Sequence, residues 1–346
     1  SSVKIRADGY AGGSGRTAEA EALTDAERVA VELAVVDIVG ERWLDRVEPI
    51  FNNVNTYVRT SRPINVERSE EGVQVRAEVY VYDSQLRRDL AAVLFESFPQ
   101  KPTVVFLLGE QIEGYRNWTV ADGAAQRFLQ SRFVDARFQI IDPRSRFSDE
   151  ALASYQAGNP RQIGGFGRDA RADVVVRGDV TAQLESESTG VNVNRVYAKV
   201  EIELIRPVDG LVIERFESTA SVNSTDAAMG GEQAIKDAAA KIAQSLLVGC
   251  VLAYATQPPP QDFIVSVRIP QTGPWLTRAR NAIGQRFPTA RLQDLHHTPG
   301  QARFRVAADV SLADLVHGLT DSRFDDFELV TERAVDRELD LELIPQ

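Results

Sequence analysis

Three histidines are the first residues of this chain to test for metal chemistry. They are His296, His297 and His317. Imidazole groups are common zinc ligands, but neighbouring residues on a strand point to opposite faces of a sheet, so His296 and His297 rarely bind one ion together. We therefore expect surface or turn histidines and no metal site.

Acidic pairs and one cysteine are the other chemically capable groups. Glu70-Glu71 and Asp325-Asp326 could supply an acid and a base, but general acid-base catalysis needs two carboxyl groups with separated pKa values, and no pair stands out. The Gly-x-Ser-x-Gly pattern of serine hydrolases does not occur. Cys250 ends an apolar helical run, which favours a buried thiol over a reactive one. We predict a non-enzymatic protein with no catalytic residues and no cofactor.

Composition excludes several classes of partner. The 346 residues carry a net charge of -11, and the sequence pI is about 5.0. Nucleic acids and anionic membranes both select concentrated Lys and Arg, so neither is expected as a partner. Without eighteen consecutive apolar residues, no membrane-spanning segment is predicted. The start at Ser-Ser-Val fits a periplasmic protein whose signal peptide has been removed, or a trimmed chain.

The first predicted domain, residues 1–100, is a helix on a sheet. Alanines recur every fourth residue from Ala18 to Ala34, which places small side chains in one row on a helix. A strand with period two follows, with Val73 to Val81 alternating with polar residues. The Gly-rich stretch 9–15 is predicted as a turn, and a second helix is expected from Trp43 to Val54. The order is strand, helix, helix, strand, strand, helix.

The second predicted domain, residues 101–255, is an α/β module. Thr103–Leu108 is a continuous apolar run, typical of a strand covered on both faces. Gly164, Gly165 and Phe166 belong to a Gly-rich segment that we predict as a loop, either an element that orders on a partner or a plain connector. Trp118 is a candidate interface anchor, since tryptophan is enriched at binding hot spots, although core burial is an equal alternative.

A third domain follows a proline-rich linker. Residues 256–262 include three consecutive prolines and should be extended. Residues 263–346 then suggest the order β-α-β-β-α-β, with one or two strands in the last stretch. Trp275, in this domain, is a second candidate interface residue. The predicted fold class is thus α/β and α+β, with three small modules whose mixed sheets are packed with helices.

Four further motifs carry a family resemblance. They are Val104–Leu108, Ile140-Ile141-Asp142, Ala172–Gly178 and Pro207–Val212. Together with the alanine-ridged first helix, they resemble the N-terminal and middle domains of the flagellar assembly protein T family. The middle domain also resembles the curli secretion channel protein and the N-terminal domain of TolB. The resemblance covers about residues 1–250, and residues 263–346 depart from the small β-barrel that ends the flagellar protein.

The resemblance implies a structural role in the bacterial envelope. We expect a non-enzymatic periplasmic assembly protein that binds protein partners or copies of itself, as in a ring of the flagellar basal body. The alternative is a periplasmic module that binds a small ligand or peptidoglycan, with the cleft of the middle domain as its site. In either case the expected partners exclude nucleic acid.

Overall fold

The computed structural model divides the chain into two compact units, residues 1–257 and 258–346. It describes residues 2–187, 194–257, 261–287, 290–308, 310, 312–321, 324, 326–335 and 337–345. The division falls inside the predicted linker 256–262, of which residues 258–260 lie outside the described residues, as does Asp325 of the acidic pair. The predicted boundary at 100–101 lies inside the first unit.

The first unit begins with a helix-on-sheet module. Its elements are β1 (Ser2–Gly12), α1 (Arg16–Val39), a 3-10 helix (Glu41–Arg46), α2 (Glu48–Phe51), α3 (Val54–Tyr57), β2 (Val58–Arg68), β3 (Gly72–Tyr82) and α4 (Asp83–Ser97). The strands form an antiparallel sheet in the order β1-β3-β2.

The alanine row of α1 packs on this sheet as predicted. Ala22, Ala26 and Ala30 are fully buried, and so are the alternating inner residues of β3. Small side chains in one row allow the helix axis to lie close to the strands. At Gly9 of β1 the helix backbone is so near that no side chain would fit under Ala22.

Two predictions for this module were wrong. The Gly-rich stretch 9–15 is not a turn throughout, because β1 continues to Gly12 and glycine is required at position 9 by the approach of α1. The expected second helix is instead broken into the 3-10 helix, α2 and α3. Pro49 lies in the first turn of α2, and Asn52 and Asn53 separate α2 from α3, since asparagine favours turns over helix interiors.

The rest of the first unit is built on a six-stranded mixed sheet. Its elements are β4 (Thr103–Ile112), β5 (Arg116–Val120), α5 (Ala124–Asp135), β6 (Gln139–Ile141), a 3-10 helix (Pro143–Ser145), α6 (Asp149–Gln156), α7 (Pro160–Ala170), β7 (Val174–Glu187), β8 (Asn194–Arg206), β9 (Leu211–Ser224) and α8 (Ala227–Ala255). The strand order is β5-β4-β7-β8-β9, with β6 also paired to β4. Strand β4 is parallel to β6 and β7, and the other pairs are antiparallel.

Helices cover both faces of this sheet. Val104, Phe106 and Leu108 of β4 belong to the core under α5 and α8, whereas Val105 and Leu107 belong to the core under α6 and α7. The continuous apolar run is therefore a strand buried on both faces, as predicted.

The predicted loop at 164–166 is wrong, because these residues lie in α7. A capping box starts this helix: the Asn159 side chain accepts from the Gln162 amide at 3.0 Å and Gln162 bonds back. Phe166 is fully buried. A Cβ added to Gly164 would lie 2.9 Å from the Cα of Gly210. The glycines thus permit close packing of a helix and do not supply a loop.

One hydrophobic core joins the first module to the six-stranded sheet. The Phe98 ring packs against Trp43 at 5.4 Å and against Tyr254 of α8 at 4.8 Å, measured between ring centroids. The Trp43 indole N–H donates to the carbonyl oxygen of Ala255 at 2.8 Å. The C-terminus of α8 is therefore held by residues of the first module.

Helix α8 is the one helix in the described part of the chain that is long and apolar enough to cross a membrane by length and composition. Its most apolar stretch has a mean hydropathy of 1.5 and is 61% buried. It packs on β8 and β9. A buried helix with this environment has the properties of a core element in a globular protein.

The second unit has its own core. Its elements are β10 (Gln261–Arg268), α9 (Trp275–Arg286), β11 (Arg291–Thr298), β12 (Gln301–Ala308), α10 (Leu312–Thr320), β13 (Phe327–Val335) and β14 (Glu338–Pro345). The sheet order is β11-β12-β10-β14-β13, with β10 parallel to β14. The predicted β-α-β-β-α-β order is present, and the last stretch forms two strands. The mixed α/β and α+β class with helix-packed sheets is thus confirmed.

Candidate functional site

A cleft of about 540 Å³ opens in the first unit between α4, α8 and β9. It has charged, polar and apolar walls. The residues that line it are Ile38, Asp83, Ser84, Arg87, Arg88, Ile213, Glu214, Gln244, Ser245, Val248, Leu252 and Thr256. This size falls within the range of about 300–1,000 Å³ that is usual for small-molecule sites.

Glu214 is the half-buried carboxylate of this cleft. It lies on the face of β9 that packs against α8, and a Cβ built on Gly249 would be 3.0 Å from its Oε2 atom. Burial raises the pKa of Glu214, Arg87 opposes this shift, and Asp83 adds to it. Within the described residues the Glu214 carboxylate accepts no hydrogen bond. It is therefore a half-buried acceptor whose charge is only partly compensated by Arg87.

Two adjacent arginines on α4 face different surroundings. The Arg87 Nε donates to the Asp83 Oδ1 at 3.0 Å, an i,i+4 ion pair along the helix. Arg88 is exposed and forms no ion pair within the described ranges. The cleft thus contains the Glu214 carboxylate and the Arg88 guanidinium, and the guanidinium has no ion-pair partner among the described residues.

Cys250 of α8 lies beside Glu214 of β9, but its thiol is not a reactive group. Its side chain is fully buried. Burial, and then the neighbouring Glu214 charge, raise the pKa of the thiol well above its ordinary value. Because the thiolate is the reactive form, this thiol is a packing group.

The structure places the three histidines on two elements of the second unit, β11 and α10. His296 and His297 are exposed on β11, and the His317 Nδ1 lies 3.2 Å from the Asp321 Oδ2 on α10. No group of three His, Cys, Asp or Glu residues suited to a metal occurs in the described part of the chain.

The candidate interface residues are not equivalent. Trp118 on β5 is 41% exposed, and its ring covers Gly109, where a Cβ would meet the Trp118 Cζ2 at 2.0 Å. Gly164 and Phe166 are buried in α7, and Gly165 follows on the same helix. Trp275 starts α9, where its indole N–H donates to the Thr272 carbonyl oxygen at 2.8 Å and Arg278 lies 4.7 Å above its ring. Trp118 remains an interface candidate because its side chain is exposed.

The edges of the three-stranded sheet form a second candidate surface. Strand β1 pairs with β3 over eleven residues without a bulge, and among the described residues it has no strand on its other side. Strand β2, the opposite edge, contains Pro63 and two register shifts. Proline and bulges block further strand pairing, so β2 is protected and β1 is not.

Comparisons with known proteins identify no family. No family model matches the chain, and no curated protein matches it. Among solved structures, a PelC dodecamer from Paraburkholderia phytofirmans is 16% identical, with 42% of this chain and 88% of that chain covered and a TM-score of 0.27. A Neisseria meningitidis lipoprotein is 9% identical, with 36% and 85% covered and a TM-score of 0.26. The LpoB C-terminal domain from Salmonella enterica is 12% identical, with 38% and 93% covered and a TM-score of 0.24. TM-scores this low do not establish a common fold.

Sequence reasoning expected a cleft in the middle domain as one alternative but named none of the residues that line this one. The available signal was the alternation of β9, in which Glu214 occupies the same face as Phe216, Ala220 and Val222. A charged residue at an apolar position of a half-buried strand is a candidate for a site. The arginines of α4 carry no such signal, because they lie at solvent-facing helix positions.

Proposed function

We propose that this chain is a non-enzymatic assembly protein of the cell envelope, and that it associates with copies of itself through the open edge of β1. The observation that carries the proposal is the contrast between the two edges of the first sheet. An unprotected edge strand presents unpaired N–H and C=O groups that template pairing with another chain.

One hydrogen bond identifies which amides of β1 face outward. The amide of Tyr10 donates to the Asp25 Oδ2 at 3.0 Å and not to β3. In an antiparallel ladder, hydrogen-bonded and non-hydrogen-bonded pairs alternate. The amides of Lys4, Arg6 and Asp8 therefore lie on the same open side as that of Tyr10, and Asp25 covers only the end of the edge.

A second long edge offers a complementary surface. Among the described residues β9 pairs only with β8, and its register runs without a shift from Glu214 to Ser224. An edge that pairs with a different edge of the next copy is a heterologous contact, which generates closed rings or open filaments. A β1-to-β9 contact would satisfy both edges and supports the ring form of the proposal.

The oligomeric state tests this proposal. We expect light scattering coupled to size exclusion, and electron microscopy, to show a species larger than one chain. Arg6→Pro removes an outward amide without removing a β1–β3 hydrogen bond, so we expect it to yield folded monomer. Arg6→Ala is the matched control, because it removes the same contact with Glu78 but keeps the amide, and it should assemble normally.

Two outcomes would contradict the proposal. The first is a strictly monomeric native chain at high concentration. The second is equal assembly of Arg6→Pro and the native chain, which would place the interface elsewhere.

The envelope location and the flagellar machine rest on the sequence resemblance alone. The flagellar assembly protein T-like motifs at Val104–Leu108 and Ala172–Gly178 support this finer part of the proposal. Genes for flagellar, secretion or surface-fibre components beside this gene would support it, whereas a neighbourhood of cytoplasmic metabolic genes would count against it.

The cleft favours a second candidate function, a periplasmic ligand-binding module. Its half-buried Glu214 and uncommitted Arg88 are the observations in its favour. A ligand that binds the folded chain raises its melting temperature by mass action, so a thermal-shift screen separates this candidate from assembly alone.

A further inference from the structure

We propose that the cleft between α4, α8 and β9 binds a small zwitterion, with a primary ammonium group against Glu214 and a carboxylate against Arg88. This inference deepens the second candidate function and does not depend on self-association. Its basis is the pattern of satisfied and unsatisfied charges in the cleft walls.

The position of Glu214 calls for a cationic group. Its carboxylate is half-buried in the cleft wall and accepts no hydrogen bond from the described residues, so its oxygens are open to a donor that enters the cleft. Arg87, whose charge acts on Glu214, already donates to Asp83. Glu214, Asp83 and Arg87 together leave one negative charge uncompensated on this side of the cleft. A primary ammonium group has three donors and can serve both carboxylates.

The position of Arg88 calls for an anionic group. Arg88 follows Arg87 on α4, lines the same cleft and has no ion pair in the described structure. A guanidinium group binds carboxylates through two parallel hydrogen bonds. A ligand with both charges therefore matches the cleft better than a simple amine or a simple acid.

The surface between the charges suits a short apolar chain. Ile38, Ile213, Val248 and Leu252 supply apolar contact, and Gln244 and Ser245 supply hydrogen-bonding groups. Sites for small molecules combine an apolar lining with a few polar groups that fix orientation in this way. Amino acids and peptides with a free amino group belong to the ligand class defined here.

The test is calorimetric titration of the full chain with a series of amino acids from glycine through γ-aminobutyrate to ε-aminocaproate. Matched alkylamines and matched fatty acids without the amine form two comparison series. We expect at least one zwitterion to bind, its matched amine to bind more weakly, and its matched acid not to bind.

Variants assign the two contacts. Glu214→Gln should weaken the best zwitterion about tenfold or more, the usual effect of losing a hydrogen-bonded charge. Arg88→Gln should reduce its affinity to that of the matched amine. Glu217→Gln is the control, because Glu217 lies on the same strand but faces Lys199 on the other side of the sheet.

The pH dependence supplies an independent readout. Binding should weaken as falling pH protonates Glu214, and Glu214→Gln should remove the part of this dependence that comes from Glu214. The other titratable groups facing Glu214 are Asp83, Arg87 and Arg88 on α4 and Cys250 on α8. The arginines stay charged and the buried thiol stays neutral over this range. Asp83 is present in both the native chain and Glu214→Gln, so the difference between their pH profiles isolates Glu214.

Some results would overturn the inference. They are absence of binding across all zwitterions, binding of the acids as tightly as the zwitterions, or unchanged affinity in Glu214→Gln that folds normally by circular dichroism. The oligomeric state is measured separately. A titration without binding therefore does not affect the assembly proposal, and a monomeric chain does not affect the zwitterion-binding proposal.

Discussion

Gly9 of β1 lies directly beneath the carbonyl oxygen of Ala22 in α1. A Cβ built on Gly9 would fall 2.1 Å from that oxygen and 2.2 Å from the amide nitrogen of Ala26. Both neighbours are backbone atoms, so no side-chain rotation can relieve the contact. The separation of helix and sheet in the first module is set by this pair of residues.

Gly9→Ala should therefore destabilise the chain by about 3 kcal/mol or more, at the upper end of overpacking effects. Chemical denaturation monitored by circular dichroism measures the change. Gly12→Ala is the matched control on the same strand, since a Cβ there meets nothing within 4 Å. Equal stability of Gly9→Ala and Gly12→Ala would show that α1 can move away from the sheet at little cost.

The alanine row and the alternation of β3 were enough to predict this helix-on-sheet arrangement, because each periodicity records which face is buried. The role of Gly9 could not be predicted in the same way. Its neighbour glycines in 9–15 suggest a turn, and only the approach of α1 shows that position 9 must lack a side chain.

Glu110 supplies a second prediction. This buried carboxylate accepts hydrogen bonds from the amides of Ala124 and Ala125, at 2.8 and 2.9 Å, and so caps the start of α5. Glu110→Gln replaces one acceptor with a donor and leaves a buried amide unpaired. We expect a loss of about 2–3 kcal/mol in the free energy of unfolding.

Thermal and chemical denaturation measure this loss. Glu113→Gln is the control, because Glu113 is exposed and its side chain should contribute little. A loss in Glu110→Gln no larger than that in Glu113→Gln would mean that another group takes over the cap.

Glu214 supplies a third prediction, on stability. Because burial raises its pKa in the folded chain, the fold favours the protonated form. The contribution of Glu214 to stability is thus fully present below the ordinary glutamate pKa and is lost as pH rises through the raised value. Glu214→Gln should melt at a higher temperature than the native chain at neutral pH.

The higher melting temperature of Glu214→Gln should disappear at acidic pH, where Glu214 is protonated in both the folded and the unfolded native chain. Scanning calorimetry at several pH values checks it, with the exposed Glu217→Gln as reference. A gain that is constant with pH would show that the effect does not come from the carboxylate charge.

Tyr57 supplies a fourth prediction. Its side chain is buried and its hydroxyl donates to the Asp89 Oδ2 at 3.2 Å. Burial, followed by the charge and hydrogen bond of Asp89, raises its pKa to about 12. The stability from this shift is present below pH 10, the ordinary tyrosine value, and is lost as pH rises toward 12.

Tyr57→Phe should therefore lose less stability than the native chain as pH is raised through this window. Urea denaturation at a series of alkaline pH values measures the two slopes, and ultraviolet titration of the phenolate gives the tyrosine pKa directly. Tyr115→Phe is the control, because Tyr115 is 54% exposed. Parallel slopes for Tyr57→Phe and the native chain would contradict the assignment.

The residues that line the candidate cleft were beyond sequence-based prediction for a definable reason. Glu214 breaks the apolar period of β9, which is a local signal, but Asp83, Arg87 and Arg88 lie on an amphipathic helix where charged residues are ordinary. Only the packing of α4 beside α8 brings these charges to Glu214. In the same way, Gly164 and Gly165 suggest a loop, whereas the capping box at Asn159 and Gln162 starts a helix.

The core shared by α1, α4, α5 and α8 has a practical consequence for dividing the chain. A cut at residue 100 would separate Phe98 from Tyr254 and Trp43 from the end of α8, and each fragment would expose an apolar interior to solvent. Expression of residues 1–100 alone should give an aggregating product, whereas a fragment ending at 257 keeps its interior whole. Module boundaries suggested by sequence punctuation need not be boundaries of independent folding.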